Sequence, residues 1–276
     1  MNVLVIGLGL IGGSFALAVR EVEPSARFSG VDRRPVLERA LARRVVDRAI
    51  ELDDVVALDA AVAEADLVFL AAPVAAIGAM LPRVLERAKV VTDCGSTKRA
   101  IVAQAQRSPR AGRFVPGHPM AGAPEGGIDL AEAGLFRDRR WLLCPEGADA
   151  DAVELVEALV TRLGSRPVRV GIAEHDRAVA LTSHAEQLVA SALAALVVEF
   201  GAAGTAGPAF ERATRGAGGP EEIWSDILAT NADAVVAALA ALRHELGAVE
   251  AGLAKPVPDL GPARALLARA RAARKA

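Results

Sequence analysis

Near its start this sequence sets three glycines in the spacing G-x-G-x-x-G, as Gly7-Leu8-Gly9-Leu10-Ile11-Gly12. Such a loop can hold a dinucleotide. Gly7 allows a tight turn, Gly9 has no Cβ to keep a pyrophosphate away, and Gly12 lets helix and strand pack closely. The free N–H groups and dipole at the start of the helix that follows would then hold the phosphate charge. Asp32 follows twenty residues beyond Gly12, where a carboxylate accepts hydrogen bonds from an adenosine ribose. Three further stretches carry reactive side chains: Asp93-Cys94-Gly95-Ser96-Thr97-Lys98, Gly117-His118-Pro119-Met120-Ala121-Gly122, and His175-Asp176 with Leu181-Thr182-Ser183-His184. A histidine between glycine and proline suits a cleft, and neutral imidazole titrates near working pH, as a general base should. Arg215, in a glycine-rich segment, offers a planar fork for a carboxylate.

These residues need a scaffold, and the hydrophobic pattern supplies one. Val3-Leu4-Val5-Ile6 reads as a buried strand and Phe15 to Arg20 as a helix. A strand from Arg27 to Val31 ends at Asp32. Helices are predicted over 35–44, 53–65 and 74–87, the last weakened by Gly78 and Pro82, with strands over 67–71 and 89–93. Strands alternating with helices imply a parallel sheet covered on both faces, with ligands outside its carboxyl ends. Gly12, Asp32, Pro73 and Ser96 all follow strand ends, so they can meet around one crevice. From Ala173 the strand signal stops. Ala/Leu/Val-rich helices are predicted over about 174–200 and 221–252, joined by a glycine-rich connector from Gly201 to Pro220. The fold expected is α/β: a Rossmann-type dinucleotide-binding domain over 1–171, then an all-α substrate and dimerisation domain over 172–276. Its helices are apolar around most of their circumference, so a homodimer is expected to bury them.

Composition narrows the function. The chain has 32 Lys+Arg against 34 Asp+Glu, a formal net charge of -2, so no basic field points to nucleic acid. The Arg-rich tail from Arg264 to Lys275 reads as a solvated helix. The apolar start is broken by glycines and lacks a basic leader, and no apolar run of eighteen residues escapes a charge or glycine, so no signal peptide or membrane span is expected. Two cysteines, Cys94 and Cys144, show neither metal spacing nor a disulfide framework. A cytoplasmic protein with no metal and a small-molecule substrate is the expectation.

Taken in order, the glycine loop, Asp-x-Gly-Ser-x-Lys from Asp93, Gly-His-Pro-Met-Ala-Gly from Gly117 and Ser183-His184 resemble the prephenate dehydrogenase family, including its arogenate and cyclohexadienyl variants. Ala213-Thr214-Arg215, with Trp224, Asp226 and Asn231, resembles that family's substrate-domain motif. The resemblance implies NAD-dependent oxidative decarboxylation of prephenate to 4-hydroxyphenylpyruvate in tyrosine biosynthesis. It makes His118 the base, gives Ser96 contact with hydroxyl and cofactor, and gives Arg215 a substrate carboxylate. Thr214, His184 and Gln187 become substrate contacts, although His184 reads equally well as a core histidine and Trp224 as packing. Gly7, Gly9, Leu10, Ile11, Gly12, Asp32, Arg33, Pro73 and Ser96 become cofactor contacts. Many relatives carry Ser-His-x-x-His where this chain has Gln187, so arogenate stays open as the substrate. Some members of that family carry an appended regulatory or mutase domain; with the dinucleotide strand beginning at residue 2 and few residues after 252, neither is expected here, and any tyrosine feedback is expected to act at or near the active site. Two other readings remain: a β-hydroxyacid dehydrogenase or imine reductase, and a non-catalytic NAD(H)-sensing dimer.

Overall fold

Along the first strand, β1 (Asn2–Ile6), successive side chains enter two different cores. Val3 and Val5 join one apolar cluster, Leu4 and Ile6 the other. A strand buried on both faces belongs inside a parallel sheet. In the computed structural model, which describes residues 1–123 and 125–274, that sheet has six strands. They are β1, β2 (Arg27–Asp32), β3 (Arg48–Glu51), β4 (Leu67–Leu70), β5 (Val91–Asp93) and β6 (Phe114–Val115), in the order β3-β2-β1-β4-β5-β6 and all parallel. This is the doubly wound dinucleotide-binding order. Intervening helices are α1 (Leu10–Val22), α2 (Arg34–Ala42), α3 (Val55–Glu64), α4 (Val74–Leu85) and α5 (Arg99–Ala105). Asp54 caps α3 by accepting from the Ala57 N–H.

A smaller sheet continues the chain: β7 (Gly117–Pro119), β8 (Arg140–Leu143) and β9 (Arg166–Arg169), with α6 (Ala150–Arg162) between the last two. β7 runs antiparallel to β8, and β8 parallel to β9. Trp141 of β8 is fully buried beside Phe15, Phe69 and Phe136, and Phe15 and Phe69 stack with centroids 3.9 Å apart. This aromatic group ties the small sheet to α1 and β4.

The rest is helical: α7 (Ile172–Val179), α8 (Ala185–Glu199), α9 (Pro208–Thr214), α10 (Glu221–Thr230), α11 (Ala232–Leu253) and α12 (Gly261–Ala273). A π-type turn at Ala180–His184 joins α7 to α8 in one continuous run. That run, Ile172–Glu199, is long and apolar enough to cross a membrane, with a mean hydropathy of 1.4. Polar residues interrupt it: His184, Glu186 and Gln187 lie at its centre, and His175 and Asp176 near its start. Its last turn, the Phe200 that ends it and α11 leave apolar side chains exposed, Val198 by 73%, Phe200 by 78% and Val236 by 65%.

Several boundaries differ from the sequence expectation. Helix α1 starts at Leu10, not Phe15, because Gly12 and Gly13 are helical and glycine there answers to packing. A Cβ on Gly12 would lie 1.9 Å from the Gly7 carbonyl oxygen, and one on Gly13 would lie 2.6 Å from the Ile128 side chain. Strand β3 was not anticipated, since it is four residues long and two of them are charged. Strands β6 to β9 are two to four residues long. The connector from Gly201 to Pro220 contains α9 and a 3-10 turn at Arg215–Gly218.

The close approach at Gly12 yields a first prediction. Overpacking costs about 1–3 kcal/mol, so Gly12→Ala should lower unfolding free energy by at least that and abolish dinucleotide binding. Urea denaturation and NAD titration calorimetry would check it. Native values for both would show that the turn can yield.

Candidate active site

The glycine loop is shaped for a pyrophosphate. Gly7 sits at φ +94°, and a Cβ there would lie 2.2 Å from the Ala71 carbonyl oxygen. A Cβ on Gly9 would meet nothing within 4 Å, so its outer face is open. No side chain caps α1, and its first turn holds no acid, so its leading N–H groups are available to an anion. At the end of β2, Asp32 is locked by the N–H groups of Leu8 and Arg33, each 2.7 Å from a carboxylate oxygen. A carboxylate oxygen accepts more than one hydrogen bond, so Asp32 can still take ribose hydroxyls. Arg34 is committed to Glu51, and the Arg33 side chain is exposed. These residues fit a dinucleotide carrying an unphosphorylated ribose.

Beside the loop, a cavity of about 680 Å³ opens between the sheet and the helices. Gly9, Leu10, Ile11, Pro73, Ser96, His118, Gln187 and Arg215 all line it. Residues more than two hundred positions apart thus converge, as the crevice at the strand ends requires. Trp224 lines it too and meets His184 edge-on, so it both packs and faces the cavity. Ser183 is a lining residue that sequence reasoning passed over in favour of its neighbour. Cys94 also faces the cavity, but burial pushes its thiol up to about 12 and keeps it protonated.

Two expected substrate contacts are placed elsewhere. His184 is buried, 1% exposed, and does not line the cavity; its Nδ1 lies 3.3 Å from Asn231 Nδ2. Thr214 spends its hydroxyl on the Phe210 carbonyl one turn back and is likewise absent from the lining. Of the two readings of His184, the core histidine is the one the structure supports. Gln187 reaches the cavity and donates Nε2–H to the Gly216 carbonyl at 2.8 Å.

Beneath the cavity lies a polar framework. Lys98 is wholly buried and ion-paired with the equally buried Asp93. Its ammonium also donates to the Gly117 carbonyl at 2.8 Å, and Asp93 accepts from the N–H groups of Gly95 and Gly117. The start of β7 is therefore clamped to the end of β5. Gly117 has no room for a side chain, since a Cβ would lie 2.9 Å from both the Asp93 carbonyl oxygen and Trp141 Nε1. The next residue, His118, has Nδ1 3.0 Å from His175 Nε2, and His175 Nδ1 is 2.8 Å from Asp176 Oδ1. Burial, then the Lys98 ammonium, hold the His118 imidazole well below its ordinary range, so it is neutral at physiological pH. Asp176 is kept below the usual carboxylate range: burial opposes this, but hydrogen bonds from His175 and from the Arg99 and Lys98 amides prevail. Asn231 donates to the Asp176 carbonyl at 2.8 Å and accepts from Arg99, which also pairs with Asp233.

Residues 15–169 match the family model described as prephenate dehydrogenase, nucleotide-binding domain, and 172–257 match prephenate dehydrogenase, dimerization domain. The chain belongs to the prephenate dehydrogenase family. It is 34% identical over 253 residues to the cyclohexadienyl dehydrogenase of Zymomonas mobilis, covering 86% of this chain and 83% of that one. It is also 34% identical over 252 residues to the prephenate dehydrogenase of Bacillus subtilis, covering 85% of this chain but 65% of the relative. The crystal structure of Synechocystis arogenate dehydrogenase superposes with a TM-score of 0.81 at 29% identity, covering 100% of this chain and 99% of that one.

The buried histidines make stability pH-dependent. Burial lowers His184 to about 4, whereas an unfolded histidine titrates near ~6.5. Below that value the unfolded chain takes up a proton that the folded chain refuses. Stability is therefore complete above ~6.5 and falls as pH drops toward 4, at about 1.4 kcal/mol per unit. By pH 4 the loss from His184 alone should reach about 3 kcal/mol. Urea denaturation across that window should show at least this slope, and His184→Gln should reduce it by about that amount. An unchanged slope in the variant would assign the loss to other groups.

Proposed function

We propose that this protein is an NAD-dependent dehydrogenase that oxidatively decarboxylates prephenate to 4-hydroxyphenylpyruvate in tyrosine biosynthesis. The observation that carries this reading is the single cavity in which a neutral histidine, an arginine and the glycine loop meet. NAD held at the loop would supply the hydride acceptor. His118 takes the proton of the substrate's C4 hydroxyl, which prevents positive charge from building on that oxygen as C4 loses hydride. Ser96, which lines the same cavity, hydrogen-bonds the same hydroxyl. Arg215 pairs with a substrate carboxylate and sets the ring with C4 toward His118. As hydride leaves, the ring carboxylate departs as carbon dioxide and the ring becomes aromatic. Asp32 favours NAD over NADP because its charge repels a 2′-phosphate, and Arg34 is committed to Glu51.

Gln187 favours a second substrate of the same class, arogenate. Its amide nitrogen is committed to Gly216, which leaves a carbonyl oxygen suited to arogenate's ammonium. The protein acts as a homodimer through the apolar faces of α8 and α11, and a cytoplasmic location accompanies this reading. A β-hydroxyacid dehydrogenase or imine reductase would have no call on this combination of motifs. A non-catalytic NAD(H) sensor would not need a neutral histidine in the cavity.

NADH formation with prephenate or arogenate, and with NAD or NADP, is the direct test. Higher kcat/KM with NAD is expected, and no turnover of either substrate would end the reading. Removing a charge-assisted hydrogen bond costs about 1.5–3 kcal/mol, so Arg215→Ala should raise KM roughly ten- to a hundredfold while NAD affinity holds. His118→Asn should lower kcat by about two orders of magnitude or more. Because His118 titrates well below the ordinary histidine range, the acid limb of kcat/KM in the native protein should lie below pH ~6.5. A limb at or above that value would point to a different base.

A further inference from the structure

His118 belongs to β7, yet its ring is held from the helical half of the chain. The contacts run in series: His118 Nδ1 to His175 Nε2 at 3.0 Å, then His175 Nδ1 to Asp176 Oδ1 at 2.8 Å. His175 and Asp176 are both fully buried. Asp176 is fixed independently, accepting from the Lys98 N–H at 2.7 Å and the Arg99 N–H at 2.9 Å, with its own carbonyl taken by Asn231.

The order of donors follows from the carboxylate end. An ionised carboxylate only accepts, so His175 must carry its proton on Nδ1. A neutral His175 then has a bare Nε2, which can only accept. His118 must therefore donate from Nδ1, and its Nε2 is left as a lone pair for the cavity that the residue lines. Free imidazole prefers the opposite tautomer, with the proton on Nε2, which would present the substrate hydroxyl with a donor.

We propose that His175 and Asp176 are the positioning pair for the His118 base, selecting its Nδ1–H tautomer and so aiming a bare Nε2 at the substrate hydroxyl. The proposal rests on the reading of His118 as the base. In the reaction the substrate O–H bond breaks and an N–H bond forms on His118 Nε2. His118 keeps its Nδ1 proton throughout, so it becomes an imidazolium. His175 gains no proton and Asp176 stays ionised, its charge steadying the imidazolium through the intervening ring. The charged and titratable groups around His118 are Lys98, His175, Asp176 and His184, with Asp93 paired to Lys98. Of these only His175 touches its ring nitrogen.

Nitrogen-15 NMR of the histidines can read the tautomer without substrate or cofactor. The chain has four histidines, and His118→Asn identifies the His118 signals. In the native protein at neutral pH, His118 should show a protonated Nδ1 and a bare Nε2. His175→Phe keeps a ring but removes both hydrogen bonds. It should move the His118 proton to Nε2, lower kcat by about ten- to a thousandfold, and shift the acid limb of the rate profile, with KM changed by less than about threefold. His175→Gln sets a carbonyl oxygen close to the former Nε2 and should recover the Nδ1–H tautomer and part of the rate. Native His118 protonated on Nε2 would overturn the proposal. So would His175→Phe with native turnover, or both variants equally slow with the native tautomer retained. A native protein inactive on both substrates would end the substrate reading instead, leaving the tautomer result to stand by itself.

Discussion

The buried Asp93–Lys98 pair is the contact on which the rest of the site depends. Two charges have left water completely, and such a pair is tolerable only when its remaining lone pairs and protons find partners. Here they do. Asp93 receives two backbone N–H groups and Lys98 reaches a backbone carbonyl, all within the loop after β5 and the start of β7. Losing one partner would strand the other, at a typical cost of about 3–5 kcal/mol. The pair thereby fixes in one rigid unit the turn that carries Ser96 and the strand that carries His118. It also contributes the positive charge that helps keep the His118 imidazole neutral.

A second polar connection joins that unit to the helices. Asp176 binds the N–H groups at the start of α5, Arg99 crosses to Asn231 and Asp233, and Thr97 meets Thr230 hydroxyl to hydroxyl at 2.9 Å. Asp226 adds another tie by accepting from the Ala75 N–H at the start of α4. These bonds are specific in geometry, unlike the apolar contacts elsewhere. They set the helical half at one orientation over the strand ends, and that orientation decides whether Arg215 and Gln187 face the glycine loop.

Much of this was legible in the residues. The glycine loop, Asp32 and the alternation of strands and helices are local patterns, and local patterns survive in a linear text. His118 was legible as a cleft residue from the glycine before it and the proline after it, but those neighbours suggest a turn, whereas pairing with β8 makes the residue part of strand β7. What escaped is non-local or depends on helical phase. His118 and His175 stand 57 residues apart, and nothing along the chain says that their rings touch. His175-Asp176 was visible as a reactive pair without a partner. The choice between Ser183 and His184 turned on one residue of rotation, which sequence spacing cannot supply once the helix departs from its regular pitch. The burial of Lys98 is not written in its neighbours along the chain, because Asp93 and Gly117 impose it together.

That departure is the π-type turn at Ala180–His184. A regular helix turns about 100° per residue, so one extra residue in a turn offsets everything downstream by roughly that angle. Helix α7 can then direct His175 and Asp176 at the nucleotide half while the next turns direct Ser183 and Gln187 at the cavity. One rod thus serves two addressees that lie on different sides of it. The spacing between Asp176 and Gln187 behaves as a phase setting: within this stretch, side chains can be exchanged during divergence far more freely than residues can be gained or lost.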